Sequence, residues 1–562
     1  MYVGFFSLFI NLLMLVPAFY MLQIYDRVVG TGSTSTLVFL TLLMLLLMAT
    51  MGGLDWVRSR ILVRVGTRLD ALLSGRLYDA SFKVALQSGG ATTSAQPLQD
   101  LNGLRGFLTG PSLFAFFDAP WLPIYLLVMF LFHPVIGAVG LASAVVLAIV
   151  AVANERMTSQ PLAEANNLYM SASATTATNL RNAEVIESMG MLPSIRGRWE
   201  EKNRGVQYWQ ARASERGGVF ASLSKALRMT VQSFILGVGA WLVIQQEITP
   251  GLMIAGSILL GRALAPIDQM IGAWKGFVSA RGQYGRLNEL LENMPEPSEK
   301  MSLPAPGGAI SAEAASIAPP GTKAPVVKGV TFKIRPGDIV GIIGQSAAGK
   351  STLARGILGI WPTMGGAIRI DGAESSSYKR EELGPYIGYL PQDIELFDGT
   401  INENIARFGD MEPERVVQAA KTAGVHDMIL HLPEGYDTVI GQSGGVLSGG
   451  QRQRIGLARA LYGEPSIVVL DEPNSNLDDL GEKALMAAID SLKQRACTTL
   501  IISHQLSVLA HVDKLLLMAA GSVAAFGPRE EVLKHMKAAR AQAQTQAATG
   551  RQVSQPTQTS KG

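Results

Sequence analysis

The sequence predicts a helical membrane domain fused to a soluble α/β domain. Three observations predict this arrangement. Only 17% of the 562 residues are charged, against about 25% in an ordinary soluble protein. The first 54 residues contain only two charged side chains, Asp26 and Arg27, and residues 119–154 contain none. Charged residues return at the usual density from about Met294. In this second part of the chain a glycine-rich turn follows an apolar strand-like run.

Composition also excludes several classes of protein. The 48 basic and 45 acidic residues leave a net charge of +3, which is too small to predict binding of nucleic acid. The single cysteine, Cys497, excludes an intramolecular disulfide framework and a multi-cysteine zinc site, and we expect it to be a buried apolar residue. We expect no cleavable signal peptide, because the first apolar run lacks a basic start and a cleavage site.

Six apolar stretches have the length of a membrane-spanning helix, which is roughly 20 residues for a hydrocarbon core of about 30 Å. One such stretch is equally typical of a buried helix in a soluble protein, but six together favour a membrane domain. Arg262 and Asp268 in the last stretch predict that its second half faces protein or water. The stretches are Val3 to Tyr25, Thr36 to Leu54, Pro111 to Phe132, Pro134 to Ala153, Thr230 to Ile248 and Gly251 to Ala273.

Basic residues are concentrated in two long connections, between the second and third spans and between the fourth and fifth. Because Lys and Arg collect in cytoplasmic loops, both long connections and both termini are predicted to be cytoplasmic. Helix-like patterning with few turn signals predicts that the spanning helices continue beyond the bilayer. The predicted domains are a membrane domain at 1–290, a proline-rich linker at 291–310, a nucleotide-binding domain at 311–540 and a disordered tail at 541–562.

The glycine-rich turn fits the phosphate-loop (P-loop) pattern and lies between the strand-like Asp338 to Ile343 and a predicted helix. Its backbone amides would cradle phosphate, Lys350 would reach the β- and γ-phosphates, and Ser351 would bind magnesium. The sequence therefore predicts a nucleoside triphosphatase. The predicted nucleotide-binding residues are Gly344, Gln345, Ser346, Ala347, Ala348, Gly349, Lys350, Ser351 and Thr352.

A second apolar strand, Ser466 to Glu472, ends in two carboxylates. Strand ends are where doubly wound sheets bind ligands. Asp471 is predicted to hold magnesium, and Glu472 to polarise the attacking water. Two acidic residues after a strand are also a common loop start, so this prediction depends on the P-loop upstream.

Leu447-Ser448-Gly449-Gly450-Gln451 resembles the signature motif of ATP-binding cassette (ABC) ATPases. The other elements of that family follow the same order: Gln392 resembles its Q-loop residue, Ser475 to Asp478 its D-loop, and His504 its switch histidine. The resemblance implies ATP and Mg²⁺ as cofactors, with Gln392 and His504 acting in catalysis beside Glu472. It also implies that Gln392 helps to hold the metal with Ser351 and Asp471. The residues implied to complete the ATP site of the opposite subunit are Ser448, Gly449, Gly450, Gln451 and Asp478.

The sequence departs from the family pattern at two places. Many members carry an aromatic residue that stacks on adenine, but Ala318-Pro319-Pro320 stands at the corresponding position. We therefore expect looser base selectivity. Gln442 occupies a position where exporter relatives often have an acidic residue, which weakens the expectation of a charged link to the membrane helices there.

The order of domains resembles ABC exporters that work as homodimers of half-transporters. Three segments are more specific: Tyr20 to Arg27, Arg58 to Arg64 and Phe116 to Tyr125. They resemble the ATPases of bacterial type I protein secretion, in the branch that exports metalloproteases, lipases, S-layer proteins and haem-binding proteins. This resemblance implies a multi-pass protein of the bacterial inner membrane with a cytoplasmic nucleotide-binding domain. It further implies ATP-driven export of an unfolded protein with a C-terminal signal, through a periplasmic adaptor and an outer-membrane channel.

Three interpretations stay open at this point. The first is the protein exporter, and the second is an ABC exporter of lipids, peptides or small amphiphiles, which the fold permits. The third is a membrane-anchored scaffold without transport, and the presence of Glu472 and His504 disfavours it. Asp118, Trp121 and Pro123 are predicted at the cytoplasmic entrance of the third span, where a substrate-entry role and a plain interfacial role for Trp121 are equally favoured.

Overall fold

The computed structural model describes residues 2–89, 95–295, 300–441 and 447–537. The described residues form two compact units, one within Met1–Lys83 and Thr93–Pro295 and the other within Val84–Thr92 and Glu296–Gly562. Gln442 and the predicted tail at 541–562 lie outside the described residues.

Helices make up the first unit. Prolines stand in the first turn of several of them, where a missing N–H has no cost. In chain order the helices are α1 (Tyr2–Leu13), α2 (Val16–Gln23), a π-helical segment (Ile24–Val28), α3 (Val29–Thr31), α4 (Thr34–Gln87), α5 (Gln96–Thr109), α6 (Ser112–Asp118), a 3-10 turn (Ala119–Trp121), α7 (Leu122–Phe132), α8 (Pro134–Arg181), α9 (Ala183–Ser188), α10 (Leu192–Ile244) and α11 (Pro250–Asn293).

Six helical segments of the described chain are long and apolar enough to cross a membrane, which confirms the six predicted spans. Four of them are longer than a bilayer requires: α4, α8, α10 and α11 contain 54, 48, 53 and 44 residues. At 1.5 Å per residue these helices reach roughly 66–81 Å, against a hydrocarbon core of about 30 Å. The predicted helical extensions are therefore present.

The first and third spans are interrupted, although the apolar pattern predicts unbroken helices. α1 ends at Leu13, and α2 begins three residues later at Val16 with Pro17 in its first turn. In the third span, Pro120 lies in the 3-10 turn and Pro123 begins the next α-helix. Proline has no N–H to donate to the preceding turn, so the α-helical hydrogen bonds break at both places.

A buried polar cluster joins the first three spans. Arg58 of α4 is only 4% exposed, and its guanidinium donates to Asp118 Oδ1 and to Asp55 Oδ1, both at 2.8 Å. Asp118 Oδ1 also accepts from Asn11 Nδ2 at 3.0 Å. The side chain of Asp118 is thus engaged inside the protein, and its position at the cytoplasmic entrance of the third span stays a prediction.

Asp268 of α11 pairs with Arg228 and accepts from the hydroxyl of Ser224, both on α10. A carboxylate in an otherwise apolar span is stable when it is paired in this way. The prediction was that this part of the last span faces protein or water, and at Asp268 the side chain is paired with protein groups. Arg262 is exposed in the single chain.

The second unit contains a mainly parallel six-stranded sheet and a smaller antiparallel one. The larger has the order β12-β11-β3-β10-β9-β6, with only β12 antiparallel, and the smaller has the order β2-β1-β4-β5. A short pair, β7-β8, lies apart. The strands are β1 (Ile310–Ile317), β2 (Val327–Ile334), β3 (Ile339–Gly344), β4 (Thr363–Ile370), β5 (Ala373–Glu374), β6 (Ile387–Leu390), β7 (Gly399–Thr400), β8 (Val439–Ile440), β9 (Ile467–Asp471), β10 (Thr498–Ile502), β11 (Lys514–Ala519) and β12 (Ser522–Pro528).

Two hydrophobic cores, one on each face of the large sheet, bury its strands. β9 and β10 are buried at every position, and both carry runs of Val, Leu or Ile that are typical of strands covered on two faces. Cys497 is 3% exposed and packs in the first of these cores, as expected. The helices of this unit are α12 (Lys350–Ile357), α13 (Arg380–Leu383), α14 (Ile401–Ile405), α15 (Pro413–Thr422), α16 (His426–Leu430), α17 (Gly449–Leu461), α18 (Asp479–Gln494) and α19 (Leu506–Leu509).

Candidate active site

Four neighbouring parallel strands bring the predicted site residues to one edge of the large sheet. The carboxyl end of β3 leads into the P-loop, β9 ends at Asp471 and is followed by Glu472, and the carboxyl end of β10 leads to His504. β6 ends two residues before Gln392. Because parallel strands end at the same side, these residues are collected there in the manner of other doubly wound sheets.

The P-loop has the backbone shape that its glycines predict. Gly349 has a φ of 94° and Ala347 a φ of 64°, and residues 345–347 are exposed. A Cβ on Gly344 would lie 2.4 Å from the carbonyl oxygen of Met518, which excludes a larger residue there. The predicted binding residues Ser346, Ala348, Ser351 and Thr352 lie in this turn and in the first turn of α12.

Lys350 folds back over the loop. Its Nζ donates to the carbonyl oxygens of Gly344 and Gln345 at 3.0 and 3.1 Å, and the residue is 8% exposed. Burial lowers the pKa of Lys350, and the carboxylates of Glu472 and Asp471 partly oppose that effect. The ammonium therefore lies at the N-terminus of α12, where a cation and unpaired backbone N–H groups both favour a phosphate.

Asp471 is a buried carboxylate without a hydrogen-bond partner. It is 1% exposed, and neither side-chain oxygen has a partner among the described residues. Burial raises its pKa, while nearby Ser351, Arg355 and Lys350 favour the charged form. The Ser351 hydroxyl is thus close enough to influence the carboxyl without forming a well-directed hydrogen bond to it. A hard cation satisfies such oxygens well, so Asp471 and Ser351 fit a magnesium site.

Across the described residues no group of three or more His, Cys, Asp and Glu side chains could hold a metal by itself. Mg²⁺ is ordinarily held by one or two protein ligands together with substrate phosphates and water. A single carboxylate and a hydroxyl beside a P-loop therefore suit that ion better than a transition metal.

Glu472 lies between the other two predicted catalytic side chains. Gln392 Nε2 donates to Glu472 Oε2 at 3.0 Å, and His504 Nε2 lies 3.8 Å from Glu472 Oε1. The backbone of Glu472 has a φ of 50°, in the left-handed region, and its N–H donates to the carbonyl oxygen of Ile502 at 2.9 Å. This strained conformation turns the carboxylate away from the end of β9 and toward its two neighbours.

The signature turn is ordered by its own residues. Ser448 is the N-cap of α17: its hydroxyl accepts from the N–H of Gln451 at 3.3 Å, while Gln451 Oε1 accepts from the N–H of Ser448 at 2.8 Å. Gly449 and Gly450 begin the first turn of that helix. Asp478 is the N-cap of α18 and accepts from the N–H of Gly481 at 2.8 Å. Among the described residues no hydrogen bond or ion pair joins Ser448–Gln451 to the P-loop of the same chain.

Comparison with known proteins agrees with this arrangement. Residues 1–264 match the family profile of the ABC transporter transmembrane region, and residues 327–475 match the ABC transporter profile. The type I secretion system ATP-binding protein PrsD of Rhizobium meliloti (strain 1021) is 46% identical over 532 residues, covering 94% of this chain and 91% of PrsD. The chain belongs to the type I secretion ATP-binding proteins of the ABC transporter family. It is therefore a multi-pass membrane protein and an ABC transporter ATPase, and it binds ATP.

More distant proteins agree with this membership. The leukotoxin translocation ATP-binding protein LktB of Mannheimia haemolytica is 28% identical over 539 residues, covering 94% of this chain and 75% of LktB. A solved structure, of a bacterial Atm1-family ABC exporter with ATP bound, superposes with a TM-score of 0.81 at 23% identity and covers 95% of each chain. This likeness shows the exporter fold, in which a six-helix membrane domain is joined to an ABC ATPase domain.

Two polar side chains that connect backbone segments of this ABC ATPase were not predicted from the sequence. Gln453, which is 2% exposed on α17, contacts the chain after Glu472. Arg407 uses its guanidinium to join the carbonyl oxygens of Arg459 and Ala460, at the end of α17, to that of Ile387 at the start of β6. Burial lowers the pKa of Arg407 to about 10. A helical glutamine and a loop arginine usually indicate solvated positions, so only their contacts identify them.

Proposed function

We propose that this ABC exporter is a homodimer that uses ATP hydrolysis to drive an unfolded polypeptide with a C-terminal signal across the bacterial inner membrane. The observation that supports a protein cargo is the 46% identity to PrsD, a type I secretion protein, along nearly the whole of both chains. The similarity to LktB, which is named for translocation of a leukotoxin, supports a protein cargo as well.

Glu472 is proposed as the general base. Its carboxylate is held by the Gln392 amide and faces the His504 imidazole, so it can take a proton from water on the phosphate side. Gln392 keeps the carboxylate oriented without neutralising it, because a neutral amide donates a hydrogen bond but carries no charge. His504 can donate to the phosphate or to the water from its Nε2.

The P-loop residues Gly344 to Thr352 are proposed to bind the triphosphate. Lys350 would exchange its present carbonyl partners for phosphate oxygens, a stronger charge-assisted contact. Ser351, Asp471 and Gln392 are proposed to hold Mg²⁺, and the orphaned oxygens of Asp471 support that assignment. When bound, the ion supplies charge neutralisation for the phosphates.

Ser448, Gly449, Gly450, Gln451 and Asp478 are proposed to complete the ATP site of the partner subunit. Two features support this role. The turn opens a 13-residue helix whose N-terminal dipole favours an anion, and among the described residues no hydrogen bond or ion pair joins this turn to the P-loop of its own chain. The two ATP molecules would then lie between the P-loop of one copy and the signature turn of the other.

The basic residues of the two long connections support a cytoplasmic position for the ATPase domain. The proposed partners are membrane lipid, a periplasmic adaptor, an outer-membrane channel and the secreted protein, with no role for nucleic acid. The net charge of +3 supports that last point.

The test is co-purification. The tagged exporter should retain a periplasmic adaptor when a secreted protein with its C-terminal signal is co-expressed, and should lose it when the signal is deleted. In parallel, ATPase activity is measured with the signal-bearing protein and with lipid vesicles alone. Adaptor capture that ignores the signal, combined with stimulation by lipid alone, would favour export of lipids or small amphiphiles and contradict the proposal.

A further inference from the structure

The signature helix α17 carries a buried glutamine, Gln453, that is hydrogen-bonded to the backbone around and after the proposed base, Glu472. Gln453 Oε1 accepts from the N–H of Asn476 at 3.0 Å. Its Nε2 donates to the carbonyl oxygen of Pro473 and lies 3.4 Å from that of Glu472. One amide therefore holds both ends of the segment from residue 472 to residue 476, and its burial makes each of these hydrogen bonds costly to lose.

The segment that Gln453 holds needs such support. Glu472 has the left-handed φ of 50°, which a residue with a side chain adopts only where its surroundings impose it. On one side the N–H of Glu472 is fixed to Ile502 of β10. On the other side the carbonyl oxygen of Glu472 accepts from the N–H of Ser475 at 3.2 Å and lies 3.4 Å from Gln453 Nε2, which also donates to the carbonyl oxygen of Pro473. The backbone that carries Glu472 is thus fastened to α17 as well as to its own turn.

The same helix begins with the proposed phosphate-contacting turn. A Cβ on Gly450 would lie 2.7 Å from the carbonyl oxygen of Asn476, so the turn and the D-loop are in direct backbone contact. Gln453 is three residues further along, less than one turn of helix away. A displacement of Ser448 by phosphate would therefore move Asn476 and, through Gln453, the backbone of Glu472.

We infer that Gln453 is a positioning residue that couples the two ATP sites of the dimer. The inference rests on the proposed function, in which Ser448 of one copy contacts the ATP bound by its partner. Through Gln453, engagement of the partner's ATP aligns Glu472 in the copy that supplies the signature turn. Coupling of this kind requires a rigid element that both sites bias, and α17 with its buried amide is such an element.

Gln453→Leu tests the coupling, because leucine fills a similar volume and removes both hydrogen-bonding groups. We expect kcat for ATP to fall by about tenfold or more, KM to stay within about twofold, and the Hill coefficient for ATP to drop from above 1 to 1. Gln453→Glu keeps the acceptor for Asn476 and removes the donor for Pro473, so it should lie between the wild type and Gln453→Leu. Gln418→Leu, at an exposed position of α15, is the matched control.

The readouts separate coupling from a merely structural role and from failure of the proposed site. A structural role would lower the melting temperature and leave the Hill coefficient above 1, which would overturn the inference. A wild-type Hill coefficient of 1 would overturn it too. If Gln453→Leu does not fold, Gln453→Glu takes its place in the same comparison. Turnover that persists in Glu472→Gln would contradict the proposed function, whereas a dead Glu472→Gln beside a fully cooperative Gln453→Leu would contradict the coupling alone.

Discussion

Replacing Glu472 by glutamine tests the proposed base most directly. The change keeps the size of the side chain and its contact with Gln392, whose amide donates to Glu472 Oε2 at 3.0 Å, but removes the group that accepts a proton. Loss of a general base ordinarily lowers kcat by about 10²–10⁴-fold, which corresponds to roughly 2.7–5.5 kcal/mol in the activation barrier. We expect a loss in that range.

ATP binding should survive the same change. In the described structure Lys350 Nζ donates to the carbonyl oxygens of Gly344 and Gln345, and Glu472 makes no hydrogen bond to the P-loop. The dissociation constant for a fluorescent ATP analogue should therefore stay within about threefold, because only a long-range charge effect on Lys350 is lost. Bound ATP that cannot be hydrolysed should also hold two ATPase domains together.

The assay compares steady-state ATP turnover, equilibrium binding of the analogue and chemical cross-linking of the dimer in detergent. Glu464→Gln is the matched control, since this carboxylate is 70% exposed and pairs with Arg495 outside the site. A Glu472→Gln protein that turns over ATP within about threefold of the wild-type rate would refute the assignment of the base.

Three further predictions follow from burial and charge. Asp471→Asn should abolish Mg²⁺-dependent turnover and raise the melting temperature of the nucleotide-free protein, because it removes a buried carboxylate whose pKa is raised by burial; a lower melting temperature would contradict this. Arg58→Met should destabilise the membrane unit by about 3–5 kcal/mol, and Arg58→Met with Asp118→Leu by less, as thermal unfolding in detergent can measure. The pKa of Lys350 is lowered, so its ammonium should lose its proton, and KM for ATP should rise, as the pH increases toward the ordinary lysine value of about 10.4. In the same pH range the stability of the nucleotide-free protein should increase with pH, since the unfolded chain binds more protons.

Much of the fold follows from local patterns in the sequence. Each membrane span is a mainly apolar run, and its minimum length is set by the thickness of the bilayer. The P-loop can likewise be predicted from adjacent residues, because glycine at 344 and 349 and the lysine that follows define a phosphate-binding turn. The breaks in the first and third spans lie at Pro17, Pro120 and Pro123, which have no N–H to donate to the preceding turn.

The catalytic arrangement depended on topology. Gln392, Glu472 and His504 are far apart in the chain, and the family resemblance predicted their roles without their geometry. The parallel order of β3, β10, β9 and β6 brings them to one edge of the sheet.

By itself, the sequence determined the membrane and ATPase halves, the P-loop, the two terminal carboxylates of β9 and the family, because each is encoded by adjacent residues. The tertiary structure alone decided which polar side chains are buried and what they hold. Arg58 resembles one more basic residue of a cytoplasmic connection, yet it lies 2.8 Å from Asp118 inside the membrane unit. Gln453 resembles a solvated helix position, yet it supports the backbone of the proposed base. A side chain's partners come from distant parts of the chain, so no local pattern can reveal them.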